Sequence, residues 1–306
     1  MRPRCPIPIW SFNVDTLVLY FDDEADSARR FADAAGLAST VVERHRFPDG
    51  ELKLRLPAAL PNRVIVYRSL VHPNEKLIEL LFVAHTARQL GATDLTLIAP
   101  YLAYMRQDIA FREGEVVSQK IIGRFLAQVF DGLATVDPHL HRVSTLEEAA
   151  PVKRPITLSG APLLGDYIAQ QIPDAFLLGP DSESAQWIAS AAKKHGFDHA
   201  ACEKIRRGDK DVQVQLPEVN LNDRRVVILD DVASSGRTLA KATRAALDAG
   251  ASSVDVAVTH ALIAEDALQV IRESGVRHVW STDCIAHESN VVSIATMLAE
   301  AVYKKL

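Results

Sequence analysis

The segment Arg225–Ala240 carries the clearest chemical signal in the sequence. Its four apolar residues Val226–Leu229 predict a buried parallel strand, and two adjacent acids, Asp230 and Asp231, follow that strand. A polar turn comes next and leads into an amphipathic helix from about Thr238. Open α/β sheets bind their ligands at the carboxyl ends of parallel strands. The segment therefore predicts a ligand site at the end of this strand.

The turn between that strand and that helix has the chemistry of a phosphate site. Unpaired backbone N–H groups and the helix dipole both favour an anion at a helix start. Ser234, Ser235 and Thr238 add hydroxyl donors, while Gly236 allows close approach of the backbone. The preceding acids repel a phosphate, so we expect them to bind sugar hydroxyls or Mg²⁺. The lysine of a Walker A loop is absent from this segment, which argues against an ordinary P-loop enzyme. The alternative is a capped helix with a surface acid pair.

Short apolar runs alternate with helix-like segments along the chain. The predicted strands are Thr16–Tyr20, Val64–Tyr67, Leu95–Ile98, Leu133–Val136, Ala175–Leu178, Val226–Leu229, Val254–Thr259 and His278–Trp280. This alternation predicts an α/β fold of mainly parallel sheets with helices on both faces. A break that contains proline and charged residues lies at Ala149–Pro155. We therefore predict two domains, residues 1–150 and 151–306, with the final helix packing back on the first domain.

The composition is that of an ordinary globular protein. The chain has 306 residues, 48% of them hydrophobic, and a formal net charge of −5. This charge gives no support for binding to nucleic acid or to an anionic membrane. The three cysteines are far apart and indicate neither a zinc site nor a disulfide framework. No apolar run approaches the ~18 residues of a membrane helix. We expect a soluble, cytoplasmic protein.

The segment around the polar turn resembles the phosphoribosyl pyrophosphate loop shared by phosphoribosyltransferases and ribose-phosphate pyrophosphokinases. That loop follows an apolar strand with two acids, two mostly apolar residues and a run of small or hydroxyl-bearing residues. Arg237 departs from the pattern, since the family usually has glycine or alanine there. The resemblance implies that the acids hold the ribose hydroxyls and that the turn holds the 5-phosphate. The implied ribose 5-phosphate residues are Asp230, Asp231, Ser234, Ser235, Gly236, Arg237 and Thr238.

Two elements of the first half resemble the ribose-phosphate pyrophosphokinases specifically. Arg46–Glu51 is similar to the Phe-x-Asp-Gly-Glu element with which that family builds an ATP site across a subunit interface. Pro100–Asp108 matches its Pro-Tyr-x-x-Tyr-x-Arg-Gln-Asp element. In that element Arg106 is expected to neutralise ATP phosphates, Gln107 to read the adenine edge and Asp108 to orient the arginine. The resemblance thus implies ATP-binding roles for Phe47, Asp49, Glu51, Arg106, Gln107 and Asp108.

Three further stretches complete the resemblance. His139 lies in a match to the family's Val-Asp-x-His, where the histidine is expected to ligate Mg²⁺ near the ATP phosphates. Asp181 matches an aspartate that helps bind a metal or the ribose, although Ser182–Ser184 depart from the family's usual residues. Lys204 and Arg206 resemble the Lys-x-Arg of a mobile catalytic loop, and the resemblance implies that both are catalytic.

The resemblance extends over nearly the whole chain from about Asp15. It implies two phosphoribosyltransferase-like domains, and an enzyme that transfers the pyrophosphoryl group of Mg·ATP to the 1-hydroxyl of ribose 5-phosphate. It also implies Mg²⁺ as the cofactor and a homo-oligomer of at least two chains. Two alternatives stay open. A phosphoribosyltransferase would share the loop but needs no ATP site, and a catalytically silent regulatory homologue would tolerate the departures at Arg237 and Ser182–Ser184.

Overall fold

The first half of the chain forms an α/β unit. The computed structural model describes residues 15–140, 142–206, 212–264 and 266–304, without the side chains of residues 204–206 and 212–214. The elements of the first half run β1 (Thr16–Tyr20), α1 (Ala25–Ala35), β2 (Ala38–Val41), β3 (Glu43–Arg46), β4 (Leu52–Arg55), β5 (Arg63–Tyr67), α2 (Pro73–Gln89), β6 (Asp94–Ile98), α3 (Ser118–Val129), β7 (Gly132–Val136), α4 (Leu146–Ala149) and β8 (Arg154–Leu158).

The second half repeats this plan. Its elements run α5 (Ala161–Gln171), β9 (Phe176–Gly179), α6 (Ala185–Ala192), β10 (His199–Ala201), β11 (Glu203–Arg206), β12 (Val212–Gln215), β13 (Arg225–Ala233), α7 (Arg237–Asp248), β14 (Ser253–Ala261), α8 (Ala267–Glu273), β15 (Val276–Thr282), β16 (Asn290–Val292) and α9 (Ala295–Tyr303). Short 3₁₀ turns at Asp22–Glu24 and Ser182–Ser184 follow β1 and β9.

Each half has one six-stranded sheet in which all pairs are parallel. The strand orders are β2-β1-β5-β6-β7-β8 and β10-β9-β13-β14-β15-β16. Two antiparallel hairpins, β3–β4 and β11–β12, stand apart from these sheets. The predicted α/β class with two mainly parallel sheets is confirmed. The sequence-based boundary at residue 150 assigns β8 to the second half, whereas its hydrogen bonds to β7 place β8 in the first sheet.

Apolar side chains fill both faces of each sheet. On one face of the first sheet, Val18 and Ile65 pack against Phe31 of α1 and against Leu298 and Val302 of α9. The last helix of the chain therefore covers the first sheet and ties the two halves together. Within the described parts of the chain, no helix is long and apolar enough to cross a bilayer.

The strand orders determine where each sheet can bind a ligand. In the second sheet, the connections run to opposite sides of β9 and β13, since β10 extends one way and β14 to β16 extend the other. The crevice at the carboxyl ends of the two strands flanking such a reversal is the usual binding place in open α/β sheets. Asp181 follows β9, and the predicted phosphate turn follows β13. The fold therefore brings these two sequence segments to one place.

Gly123 allows α3 to pack closely against the end of α4. A Cβ at this position would lie 1.7 Å from the carbonyl oxygen of Ala149, which is backbone and has no rotamer to adopt. We expect Gly123→Ala to destabilise the fold by about 1–3 kcal/mol, because overpacking forces the two helices apart. Urea unfolding measures this loss. Arg124→Ala, exposed on the same helix, is the control and should change stability by under ~0.5 kcal/mol. Equal stability of the two variants would contradict this packing argument.

Candidate active site

A polar cavity of about 320 Å³ lies at the carboxyl ends of β9 and β13. The second half contributes most of its wall, and two side chains of the first half, Arg106 and His139, complete it. The sequence-predicted residues that line this cavity are Arg106, His139, Asp181, Asp230, Asp231, Ser234, Ser235, Gly236 and Thr238. Residues from both sequence halves therefore meet in a single space.

The polar turn takes its shape from glycine. Gly236 has a φ of +69°, in the left-handed region, and directly precedes α7. A Cβ there would lie 2.8 Å from both the carbonyl oxygen of Ala267 and a side-chain carbon of Ile271. Conformation and space therefore both require glycine. The resulting turn presents Ser234, Ser235 and Thr238 to the cavity at the amino end of α7, where backbone N–H groups and the helix dipole favour an anion.

Three carboxylates converge beside this turn. Asp231 is 2% exposed, and its Oδ2 lies 2.7 Å from Nδ1 of His139. Asp181 accepts hydrogen bonds from the backbone N–H groups of Glu183 and Ser184. Burial raises the pKa of Asp230 well above its usual value, and the negative charges of Asp231 and Asp181 raise it further. The site therefore has an excess of negative charge that a proton or a cation would relieve.

These side chains suit a hard cation only in combination with a ligand. Carboxylate oxygens are the donors that Mg²⁺ prefers, and Mg²⁺ commonly takes one or two of them together with substrate phosphates. Across residues 15–140, 142–206, 212–264 and 266–304, no three His, Cys, Asp or Glu side chains are arranged to hold a metal ion. The donor set thus fits a metal that arrives with a phosphate ligand rather than a preformed metal cage.

Family models match both halves of the chain. Residues 17–129 match the N-terminal domain of ribose phosphate pyrophosphokinase, and residues 160–291 match the phosphoribosyl transferase domain. A ribose-phosphate pyrophosphokinase of Methanopyrus kandleri is 33% identical over 290 residues, 94% of this chain and 98% of the relative. The chain belongs to the ribose-phosphate pyrophosphokinase family.

Two further similarities agree with this assignment. A ribose-phosphate pyrophosphokinase of Saccharolobus solfataricus is 35% identical over 260 residues, which cover 83% of this chain and 88% of that protein. The crystal structure of phosphoribosylpyrophosphate synthetase from Mycobacterium smegmatis superposes with a TM-score of 0.82 at 23% identity, covering 95% of this chain and 99% of that chain. The similarity to the Mycobacterium smegmatis structure, at 23% identity, shows a shared fold.

The predicted ATP element on the β3–β4 hairpin does not reach the cavity of its own chain. Phe47, Asp49 and Glu51 lie at the exposed tip of the hairpin and are not among the described residues that line the cavity. Two ion pairs hold the hairpin on α2. Arg44 Nη1 donates to the fully buried Glu79 at 2.7 Å, and Arg46 pairs with Glu75. The tip is thus carried on a fixed arm and presented outward, with Phe47 40% exposed.

Only the arginine of the predicted Arg106–Asp108 element lines the cavity. The side-chain amide of Gln107 donates to the carbonyl oxygen of Ile109 at 2.9 Å. Asp108 does not orient Arg106 as the resemblance implied, because its Oδ1 accepts a 2.6 Å hydrogen bond from Arg142. This pair joins the Arg106 loop to the loop that carries His139. The pairing depends on tertiary contact between two loops, which the motif alone does not predict.

The remaining predicted residues lie at the edge of the site or outside the described side chains. Arg237 is the first residue of α7, is exposed, and is not among the described residues that line the cavity. Lys204 and Arg206 belong to β11, whose backbone is described, but their side chains lie outside the described part of the structure. Their catalytic role stays a prediction.

The sequence analysis missed Glu183 and Trp187, which also line the cavity. Glu183 lies in the 3₁₀ turn after β9, and Trp187 follows in α6. Both stand in or directly after the segment that departs from the family pattern, and this is why the resemblance assigned them no role. Their position shortly after the carboxyl end of β9, where open α/β sheets bind ligands, could have identified them as candidate site residues.

The raised pKa of Asp230 predicts how metal affinity changes with pH. Loss of the Asp230 proton adds a negative charge beside Asp181, so affinity for Mn²⁺, used as a probe with ATP present, should rise as pH rises through the raised pKa. Asp230→Asn should bind Mn²⁺ more weakly and with a flatter pH dependence. Titration by electron paramagnetic resonance measures both. Asp166→Asn, a partly exposed acid on α5, is the control. An unchanged pH profile in Asp230→Asn would show that another group competes with the metal.

Proposed function

We propose that the chain is a ribose-phosphate diphosphokinase, which transfers the pyrophosphoryl group of ATP to the 1-hydroxyl of ribose 5-phosphate. The products are phosphoribosyl pyrophosphate and AMP. The main support is that the phosphate turn and acid pair of the second half share one cavity with Arg106 and His139 of the first half. Membership of the family adds to this support. Groups suited to a sugar phosphate thus lie beside groups suited to a nucleoside triphosphate.

Ribose 5-phosphate fits the polar end of the cavity. Its 5-phosphate would accept hydrogen bonds from Ser234, Ser235 and Thr238 and from the backbone at the start of α7. Asp230 and Asp231 would accept hydrogen bonds from the 2- and 3-hydroxyls. Both acids lie near the end of β13, and two strand residues, Val232 and Ala233, separate them from the turn before α7. This spacing suits a ligand that carries hydroxyls at one end and a phosphate at the other.

ATP would approach from the side of the first half. Arg106 would neutralise phosphate charge there, and it is exposed to the cavity. His139 and Asp181 would hold Mg²⁺ together with ATP phosphate oxygens. When bound, Mg²⁺ supplies positive charge that offsets the charge on the transferred group. Its presence would also relieve the repulsion among the carboxylates.

The reaction needs positioning more than covalent chemistry. The oxygen of the 1-hydroxyl bonds to the β-phosphorus while the bond from that phosphorus to the oxygen of the α-phosphate breaks. AMP leaves with that bond's electron pair, and the proton of the 1-hydroxyl passes to solvent. Such a transfer is accelerated by alignment of the two reactants and by fixed positive groups around the moving charge. Lys204 and Arg206 on the β11–β12 hairpin would supply those groups.

A second copy of the chain would complete the nucleotide site. Phe47, Asp49 and Glu51 are carried outward on the anchored β3–β4 hairpin and face no described part of their own cavity. An exposed aromatic ring on a fixed arm suits stacking on an adenine held by a neighbouring chain. We propose a homo-oligomer of at least two chains in which each hairpin tip serves the partner's site.

The rival function is a catalytically silent homologue. Arg237 is its main support in the sequence, since an arginine replaces the family's small residue. Arg237 is the first residue of α7, is exposed, and is not among the described residues that line the cavity. This position weakens the argument that Arg237 blocks the phosphate turn, and the active enzyme is therefore the better supported function.

The reaction can be tested by ³¹P NMR of the protein with Mg²⁺, ATP and ribose 5-phosphate. We expect AMP and phosphoribosyl pyrophosphate to appear in equal amounts. Release of ADP would indicate an ordinary kinase and would contradict the proposal. Absence of any reaction, with ATP binding retained, would support the silent homologue.

The role of the β11–β12 hairpin can be tested by Lys204→Ala. Loss of one group that stabilises transition-state charge should lower kcat on the order of 100-fold or more. The KM values for both substrates should change much less. Lys194→Ala, an exposed lysine near the end of α6, is the matched control and should keep parent activity. A Lys204→Ala enzyme within a few-fold of the parent would rule out the catalytic role.

A further inference from the structure

Asp137 is a buried aspartate whose function the family motif leaves open. It lies two residues before His139, directly after β7, and is 6% exposed. Its carboxylate accepts three hydrogen bonds. Oδ2 accepts from the Gly160 backbone N–H at 2.9 Å and from Thr259 Oγ1 at 2.7 Å, and Oδ1 accepts from Trp187 Nε1 at 3.1 Å.

All three donors belong to the second half of the molecule. Gly160 precedes α5, Trp187 lies in α6, and Thr259 lies near the carboxyl end of β14. A carboxylate that ends a strand of the first sheet is therefore held by three separate elements of the other half. Because the group is buried and each bond involves a charged acceptor, loss of any one donor is costly.

The backbone around Asp137 makes the same connection. His260, the residue after Thr259, lies with Nε2 2.9 Å from the carbonyl oxygen of Val136. Burial lowers the pKa of His260, so the ring is neutral and donates from this nitrogen. Asp137 itself has a φ of +36°, which is rare for a residue other than glycine. Its unusual conformation is therefore retained by contacts made across the two halves.

The contacts of Asp137 and His260 across the two halves form a clamp, and this clamp lies next to His139 of the candidate site. His139 follows Asp137 by two residues, and its Nδ1 contacts Asp231 of the second half at 2.7 Å. His139 lines the polar cavity at the ends of β9 and β13. Asp137 lines a small pocket next to it, together with Arg106, His139 and Asp231. Both carboxylate oxygens of Asp137 accept hydrogen bonds from the second half, so the carboxylate is directed into the interface between the halves.

We propose that Asp137 is a positioning residue that locks the two halves together and so holds His139 against the ribose site; for its catalytic consequence, this rests on the proposed function. It is not a metal ligand. The two halves then form one rigid frame, and the alignment of ATP with ribose 5-phosphate is built in before either binds.

A double-mutant cycle tests the clamp. The variants are Asp137→Asn, Thr259→Val and the two combined, and Thr135→Val is the matched control. Thr135 lies in β7, and its buried hydroxyl has no hydrogen-bond partner in the described part of the chain. A displacement of about 1 Å can cost on the order of 100-fold in rate. We expect each single variant to lower kcat at least about tenfold, with the KM for ribose 5-phosphate within about twofold of the parent and Thr135→Val unchanged.

The combined variant separates a clamp from a ligand. Residues of one network are not additive, so the double variant should be no worse than the more impaired single variant. A metal ligand would behave differently, since Asp137→Asn would weaken Mn²⁺ binding strongly and Thr259→Val would not. That result, or additive losses, would overturn the proposal.

Hydrogen exchange tests the clamp without relying on activity. In both single variants, peptides spanning residues 134–140 should exchange faster, while peptides of the turn at 234–238 should keep the parent rate. Unchanged exchange at 134–140 would overturn the clamp. The two proposals can fail separately. If the parent protein makes no phosphoribosyl pyrophosphate but the variants still exchange faster at 134–140, the proposed function is refuted and the clamp is supported.

Discussion

The site depends on the tolerance of excess negative charge in a small polar cavity. Asp181, Asp230 and Asp231 converge there, and burial of like charges is unfavourable unless donors or cations offset it. The structure offsets part of the charge with backbone N–H groups at Asp181 and with His139 at Asp231. Asp230 responds by holding its proton to higher pH. A cationic ligand would therefore stabilise the cavity. The anion-binding turn that begins at Ser234 is separated from the acids by only Val232 and Ala233 at the end of β13.

The fold solves the problem of bringing these groups together with two kinds of contact. Parallel strands place the acids after β9 and β13 at one edge without further help. The contribution of the first half needs specific anchors, because among the described residues no backbone hydrogen bond joins the two sheets. Asp137, His260 and the packing of α9 on α1 supply those anchors. Strand order within the second half thus brings the acids together, whereas side-chain contacts between the halves position Arg106 and His139.

Local patterns were sufficient for the core of the fold and for the phosphate turn. An apolar run such as Val226–Leu229 is enough to predict a buried strand, and the hydroxyl and glycine residues of the turn that follows are enough to predict a phosphate site. The four edge strands β2, β8, β10 and β16 were not predicted, since they are short or carry a proline, as Pro155 does in β8. The contacts of Asp137 could not be predicted either. Its partners lie 23, 50 and 122 residues away, and one-dimensional patterns do not specify such distances.

The matching strand orders of the two sheets bear on the history of the chain. Each half has the same six-strand order and an antiparallel hairpin inserted at the same point, which is the arrangement that a tandem duplication leaves behind. Each copy has kept a crevice at the carboxyl ends of its two central strands. The crevice of the first copy, at the ends of β1 and β5, has a volume of about 830 Å³ and is bordered by Asp23 and Ser69. The buried guanidinium of Arg68, directly after β5, pairs there with Asp23 and Glu79. The two copies have thus diverged in the chemistry of one shared place in the fold, since an ion network borders the first crevice and the phosphate turn borders the second.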